Sequence, residues 1–438
     1  MSSISSFSAL QTSLRGLLAQ QRSLDITSHN IANAQTEGYT RQEAVLGAAL
    51  PYQLDAGALA NGSGAQLGQG VDVLEYRRIR DSFLDLQYRA QNMTLGGKTT
   101  TADGLSRVEE QFGEPSDDAI SGLLSKYWDA WGALEANPTD GAAKAAVVAG
   151  GQALTGALKD LDSRLSALSG TAAAEYASLT TDPGNEVGTY ANQLASLNKA
   201  IKEQVAVGRQ PNDLLDQRDL ILDKLSELGQ VSTSDTDGDG SLDVSFGGAS
   251  TLLVDGGTGT VTWPQTLTAP GGKLGALQSL QTTIAGYRGS LDAIASSLAT
   301  SVNAIHGTPP FFTGSTASTL TVNVTIATLQ SGTSGNPGDN SIATAVGALR
   351  NGAIDGAYAT LVRKIAADAS DANRASSTQQ SIVTTLDERR ASVSGVSLDE
   401  EMTNMIRFQR GYQASSRVMS TVDEMLDTLI NRTGRVGL

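Results

Sequence analysis

The stretch TSDTDGDGSLD sets Asp235, Asp237 and Asp239 at alternate positions with Gly240 directly after them. These are the carboxylates and the sharp turn of positions one, three, five and six of a calcium loop. Such a loop needs a bidentate Glu at position twelve, where this sequence has Phe246. The residues that follow alternate as a strand (Leu242, Val244, Phe246) and not as a second helix. Asp and Gly are also what a tight hairpin tip selects, so turn chemistry accounts for the same residues. The three aspartates are the single metal candidate, and the turn is the preferred reading.

No other chemistry is spelled out. The chain has no cysteine and two histidines, His29 and His306, which excludes thiolate catalysis and Cys-ligated metals and leaves a zinc site short of nitrogen ligands. P-loop, GxGxxG, GxSxG and HExxH signatures are missing. Adjacent acids such as Asp117-Asp118 and Glu400-Glu401 point in different directions on a helix and read as solvated surface, not as catalytic pairs. No catalytic residue and no cofactor site is expected. A net charge of −15 opposes binding to nucleic acid or to an anionic membrane. No apolar run approaches the length of a membrane span, and the N-terminus, whose first charge is Arg15, lacks the form of a cleaved secretion signal.

With chemistry set aside, the elements carry the information. Phe7, Leu10, Leu14, Leu17, Gln21, Leu24, Ser28 and Ile31 step by three and four, the a/d seam of a coiled coil. The other end mirrors it with Leu398, Met402, Met405, Gln409, Tyr412, Ser416, Met419, Leu426 and Ile430, widened by Val418, Val422, Met425 and Leu429. Two helices cannot enclose all of that second stripe, so other subunits are expected to cover part of it. Residues 1–36 carry only Arg15, Arg22 and Asp25, and 398–438 carry six acids against five arginines. Ends this near to neutral can pack densely side by side.

Between the ends the spacing predicts a Gly/Ala-rich loop with short extended pieces over 42–80. A helical block to about Gly170 is broken near Pro115 and Pro138, with Tyr127, Trp128, Trp131 and Leu134 in its core. A helix over 173–208 and another after Pro211, N-capped by Asn212 and closed by Gly229, follow. A β-element is expected near 230–265, helix over 275–305, a Thr/Ser/Gly-rich segment over 307–340, and helix from Ser341 to the end apart from Ser394-Gly395. The expected fold is mainly α with a smaller β part. Its units are a terminal coiled-coil stalk (1–41 with 396–438), an elongated helical middle domain with a β-hairpin (42–306 with 341–395), and an outer segment (307–340).

The abrupt end of the first helix, NIANAQTEGYTR, points further. Asn33 suits a left-handed helix end, Gly38 a sharp turn, and Tyr39 an anchor with a polar tip. Asn30, Ile31, Ala32, Asn33, Thr36, Gly38, Tyr39 and Arg41 match the NIANxxTxGYxR element of the bacterial flagellar axial proteins (rod, hook and hook-associated), which this N-terminus resembles. Within that family, KYWDAWGALEANPTDGAAKAAV, NDLLDQRDLILDKLSELGQVS, GGKLGALQSL through SVNAIHG and the C-terminal SGVSLDEEMTNMIRFQRGYQASSRVMSTVDEMLDTLIN resemble the first hook-filament junction proteins. The family's large outer β-domain after His306-Gly307 is reduced here to 307–340. The resemblance implies a structural subunit, not an enzyme, exported through the flagellar type III apparatus from a transient cytoplasmic state. It implies assembly outside the cell as a ring-like, self-associating layer between hook and filament, with no membrane insertion. Implied partners are hook protein, the second junction protein, and an export chaperone on the C-terminal helix, where Met402, Met405, Met419 and Met425 give adaptability. The alternative is another axial subunit, flagellin-like or of the hook/rod type.

Overall fold

In the computed structural model, which describes residues 6–54, 65–428 and 431, the first helix α1 (Ser6–Ala32) packs along the last. The two come close at two glycines, Gly16 and Gly411. A methyl built on Gly16 would lie 3.2 Å from Ser415 Oγ, and one on Gly411 would lie 2.8 Å from the Gln20 side chain. With Asn30 meeting Glu401, these contacts make the pair antiparallel. The buried positions of the first helix include Ser13, Ser23, Thr27 and Asn30, in step with Gly16 and Gln20 and one residue out of phase with the leucine stripe. Ser13 and Ser23 turn their hydroxyls onto the carbonyls of Ala9 and Ala19, at 3.0 and 2.9 Å, so they are buried without an unmet donor.

The leucine stripe therefore stays largely outside. Leu10, Leu17, Leu24 and Ile31 are half-buried and Leu14 is 45% exposed. On the last helix Met405, Met419 and Leu426 are half-buried, whereas Leu398, Met402 and Tyr412 are exposed. The side chain of Phe7, Leu429 and Ile430 lie outside the described residues.

From the stalk the chain enters a twisted ribbon. Strand β1 (Gln42–Ala48) pairs antiparallel with β4 (Val71–Arg78), from Gln42↔Arg78 to Ala48↔Val71, with a bulge at Val45/Leu46, and β2 (Tyr52–Leu54) pairs with β3 (Ala65–Leu67). The extended pieces expected on either side of the Gly/Ala-rich stretch are thus β1 and β4, paired with each other. The body follows: α2 (Ser82–Phe112), α3 (Ile120–Ala136), α4 (Gly141–Thr180), α5 (Glu186–Ala206), α6 (Asn212–Leu228), the hairpin β5 (Val231–Ser234) and β6 (Asp243–Phe246), α7 (Gly272–His306), the short pair β7 (Phe312–Thr313) and β8 (Thr321–Val322), α8 (Ser341–Gly347), α9 (Ala353–Ser394) and the closing α10 (Leu398–Asp427). The chain is mainly α with small antiparallel β pairs. Helix α2 lies against α9, α7 and α6, and α4 against α7 and α3. At 1.5 Å per residue α4 and α9 each run about 60 Å, which makes the body long.

Its core is aromatic at one end. Tyr127, Trp128, Trp131 and Leu134 are buried. Phe311 sits 5.6 Å from Trp131 and 4.6 Å from Phe312, ring to ring, and Trp128 Nε1 donates to Asp355 Oδ1 at 3.1 Å. Residues 307–340 fold onto this cluster, burying Phe311, Phe312, Leu320, Val324 and Leu329. His306 clips that segment: its Nδ1 lies 2.7 Å from the Pro309 carbonyl and its Nε2 accepts from Gln330 N at 3.2 Å, which sets the neutral tautomer with hydrogen on Nδ1.

Three local expectations are corrected. Helix α4 runs through Gly170 to Thr180 and the break falls at Asp182-Pro183; Gly170 faces open space, and its cost of about 1 kcal/mol is small beside a helix packed over this length. The helix from Ser341 is interrupted where Asn351 takes φ 55° before Gly352. Asn212 opens α6 without capping it, because its amide donates instead to Tyr76 O and Gln42 Oε1.

Two measurements follow. A Cβ on Gly96 would stand 2.3 Å from the Glu227 carbonyl of α6, whereas one on Gly132 meets nothing within 4 Å. Gly96→Val should lower the unfolding free energy by about 2–3 kcal/mol and Gly132→Ala should raise it by about 0.5–1 kcal/mol, read by urea denaturation. Burial holds the His306 pKa below 6.5, against the opposing Pro309 bond. The folded state thus binds this proton less readily than the unfolded one, and the contribution is complete above pH 6.5 and falls as pH drops below it. The thermal midpoint should decline from pH 7 to 5, and His306→Gln should flatten that slope.

Candidate functional site

The polar joint where stalk meets body gathers the motif residues. Asn30, 1% exposed, uses its whole amide. Nδ2 donates to Gln42 O at 2.9 Å and to Glu401 Oε2 at 3.0 Å; Oδ1 accepts from Tyr39 OH at 2.8 Å and Gln42 N at 3.0 Å. Since the Tyr39 hydrogen is committed to Asn30, His29 Nδ1, 3.0 Å from the phenol oxygen, is the donor in that pair. Burial, then Asp213, Asp216 and Glu401, push the Tyr39 phenol well above its ordinary pKa, so it remains a donor. One asparagine thereby ties the end of α1, the start of β1 and the start of α10.

Arg41 completes the tie. Its Nε and Nη1 donate to Glu401 Oε1 and Glu400 Oε2 at 2.9 and 2.8 Å, and its backbone N–H reaches Ser394 O at 2.8 Å. Gly38 has φ 77°, and a Cβ there would press on Leu220 at 3.1 Å, so both backbone and space ask for glycine. Asn33 departs from expectation: it is not in the left-handed region, where Asn351 is the one non-glycine among the described residues. Its side chain instead donates to His29 O and accepts from Thr36 Oγ1, closing the turn by side-chain bonds. Ile31 is half-buried and Ala32 exposed.

Beneath this joint lies a closed ring of charges that the sequence reading missed. Asp219 binds Arg80 at 2.6 Å, Arg80 binds Asp85 at 2.5 Å, Asp85 binds Arg390 at 3.2 Å, Arg390 binds Asp223 at 2.9 Å, Asp223 binds Arg89 at 2.7 Å, and Arg89 returns to Asp219 at 3.0 Å. Arg78 adds Asp216 and Asp219 at 2.8 and 2.9 Å, and Asp216 Oδ2 accepts from Thr40 N at 2.9 Å. Four aspartates thus balance four arginines from α2, α6, α9 and the end of the ribbon. Burial works against ionised Asp219, but Arg80, Arg78 and Arg89 outweigh it and hold its pKa low. At Asp216 burial dominates and the pKa is raised. The segment DLLDQRDLILD was the available signal, with Asp216, Asp219 and Asp223 at helical spacing on α6.

Arg218 points the other way. Buried and in no ion pair among the described residues, it donates to Gly240 O at 2.6 Å and Asn198 Oδ1 at 3.3 Å, and desolvation lowers its pKa to about 10. It anchors the base of the aspartate-rich hairpin. There Asp235 Oδ1 accepts from Gly238 N, Asp239 Oδ1 from Ser241 N, and Asp239 Oδ2 pairs with Lys202 at 2.7 Å. Two of the three candidate aspartates are thus engaged in turn bonds. Among the described residues no group of three or more His, Asp or Glu is placed to hold a metal ion, and no helix is long and apolar enough to cross a membrane.

Apolar surface is left uncovered on the stalk and ribbon. Met402 and Met425 are 57% and 58% exposed, and Leu18, Ile406, Val418, Leu50 and Leu74 join them.

Comparison with known proteins gives a consistent result. Residues 105–265 match the flagellar hook-associated protein FlgK helical domain, 390–432 the flagellar basal body rod FlgEFG protein C-terminal family, and 10–40 the flagella basal body rod protein family. The chain is 30% identical to flagellar hook-associated protein 1 of Bacillus subtilis (strain 168), over 98% of this chain and 99% of that protein. It is 24% identical to flagellar hook-associated protein 1 of Salmonella typhimurium, over 97% and 99%. The solved structure of the flagellar hook junction protein FlgK from Burkholderia pseudomallei aligns with a TM-score of 0.43 at 24% identity, over 50% of this chain and 43% of that one.

Asn30→Ala strands the Tyr39 hydroxyl, the Gln42 N–H and a Glu401 oxygen in a buried place. It should weaken the joint by about 2–3 kcal/mol, seen as faster hydrogen exchange at the start of α10 with the body unchanged.

Proposed function

The chain belongs to the family of flagellar hook-associated protein 1, a structural component of the flagellar axial assembly and not an enzyme; on that premise we propose that it forms the layer joining hook to filament. The observation that carries this is the uncovered apolar face of the stalk, on α1 at Leu14 and Leu18 and on α10 at Leu398, Met402, Ile406, Val418 and Met425. A face of this kind in a water-soluble chain is ordinarily covered by a partner. Self-association and contacts with hook protein below and the second junction protein above supply that cover. Within this reading 1–41 with 396–438 form the axial core, 42–306 with 341–395 the body, and 307–340 a reduced outer segment. Phe7, Leu10, Leu14, Leu17, Leu24, Leu398, Met402, Met405, Tyr412, Met419, Leu426 and Ile430 are its packing residues.

Before assembly the same α10 face is bound by an export chaperone, and the chain passes from the cytoplasm through the type III apparatus to the exterior. Met402, Met405, Met419 and Met425 suit one helix to two different partners, because thioether side chains repack at little cost.

Immunogold labelling of isolated flagella should give a single band at the hook-filament boundary. Staining along the filament would transfer the chain to the flagellin role. Met402→Asp should reduce incorporation at least tenfold while the body's unfolding free energy changes by no more than about 0.5 kcal/mol; normal filaments from that variant would remove the packing role of this face.

A further inference from the structure

Charge on the stalk is banded along its axis. From Met402 to Val422, α10 holds no acid and three arginines, Arg407, Arg410 and Arg417. All three are exposed and none is in an ion pair among the described residues; Arg407 only lies over the Phe408 ring at 4.8 Å. Asp399 and Glu400 precede the band, and Asp423 and Glu424 follow it. Because Gln20 meets Gly411, the antiparallel α1 brings Arg22 to the same level, with Asp25 at the band's edge. Arg15 is already engaged by Asp72 at 3.0 Å.

The spacing also selects a face. Steps from Asp399 to Arg410, to Arg417 and to Glu424 are each close to a whole number of helical turns, so these residues form one outward stripe, which Ile406 shares. A stripe reading acid, base, base, acid repels an identical stripe at the same level. A slide of seven residues sets Arg417 beside Glu424 but Arg410 beside Arg417. A slide of eleven to fourteen residues, about 16–21 Å at 1.5 Å per residue, sets Arg410 of one copy beside Asp399 of the next and beside Asp423 and Glu424 of the one behind, with no like charges opposed.

We infer that neighbouring copies of this chain pack with parallel stalks offset along the axis by about 16–21 Å, the basic band of each lying against the acidic ends of its neighbours. The partner is a second copy, and the inference rests on the junction-layer reading above. Exposed ion pairs are individually weak. They set the register, while the apolar face at Leu398, Met402 and Ile406 supplies the contact area.

Absence of cysteine makes the offset directly measurable. Thr403 and Ala414 are exposed on the outward side of α10, eleven residues apart. Thr403→Cys and Ala414→Cys chains, co-assembled in flagella, are treated with a bismaleimide whose reach is shorter than the offset. The 403–414 link should exceed the 403–403 and 414–414 links at least fivefold. Dominant like-with-like links, or no link between assembled chains, would overturn the offset and leave the junction role standing; failure of the chains to appear at the hook-filament boundary would remove both. Arg410→Glu should reduce incorporation at least tenfold, and adding Asp399→Arg with Glu424→Arg should restore it. A triple variant no better than the single one would refute charge as the source of the register.

Discussion

The stalk leaves and rejoins the body at a single place, where the backbone must turn sharply inside protein and every polar group must still be met. Asn30 satisfies that constraint with four hydrogen bonds from one amide. A smaller or apolar side chain cannot bridge a helix end, a strand start and a carboxylate together. An unmet buried donor or acceptor costs more than a made bond returns, so the geometry of everything above the joint follows from its satisfaction.

The charge ring extends that constraint into the body. Each aspartate on it faces at least two arginines from different parts of the chain, so moving α6, α9 or the ribbon end relative to α2 would break ion pairs that are shielded from water. Such pairs add little net stability over apolar packing, but breaking one leaves an uncompensated charge. Directionality is what an aromatic cluster lacks. The cluster of Tyr127, Trp131, Phe311 and Phe312 consolidates the far end of the body, where cohesion suffices and no exact joint angle must be held.

The stalk is built on the opposite logic. Its two helices meet through Ser13, Gly16, Gln20, Gly411 and Ser415, small or polar groups that permit close approach without consuming apolar surface. Leucine and methionine are left facing outward. In a monomer that arrangement wastes burial; under the assembly proposed above it keeps the apolar faces for neighbouring subunits, with banded charge to position them.

The amino-acid sequence alone determined the helical periodicities, the break after Ala32, the need for glycine at position 38, the aromatic core around Trp128 and Trp131, and the family. Each is a local pattern or a matched motif, written in adjacent residues. It could not determine which stripe of α1 faces α10, because two seams one residue apart both keep the three-four step, and helix-to-helix distance chooses between them. Nor could it pair Asp219 with Arg80 and Arg89, or Asp223 with Arg390, since those partners are far apart in the chain and only the tertiary fold sets their distances. The extended pieces that become β1 and β4 were legible as pieces flanking a Gly- and Ala-rich loop, but their pairing and register, from Gln42↔Arg78 to Ala48↔Val71, were not, because cross-strand partners lie far apart in the chain. Local chemistry is legible in sequence. Long-range electrostatics and choice of packing face are properties of the fold.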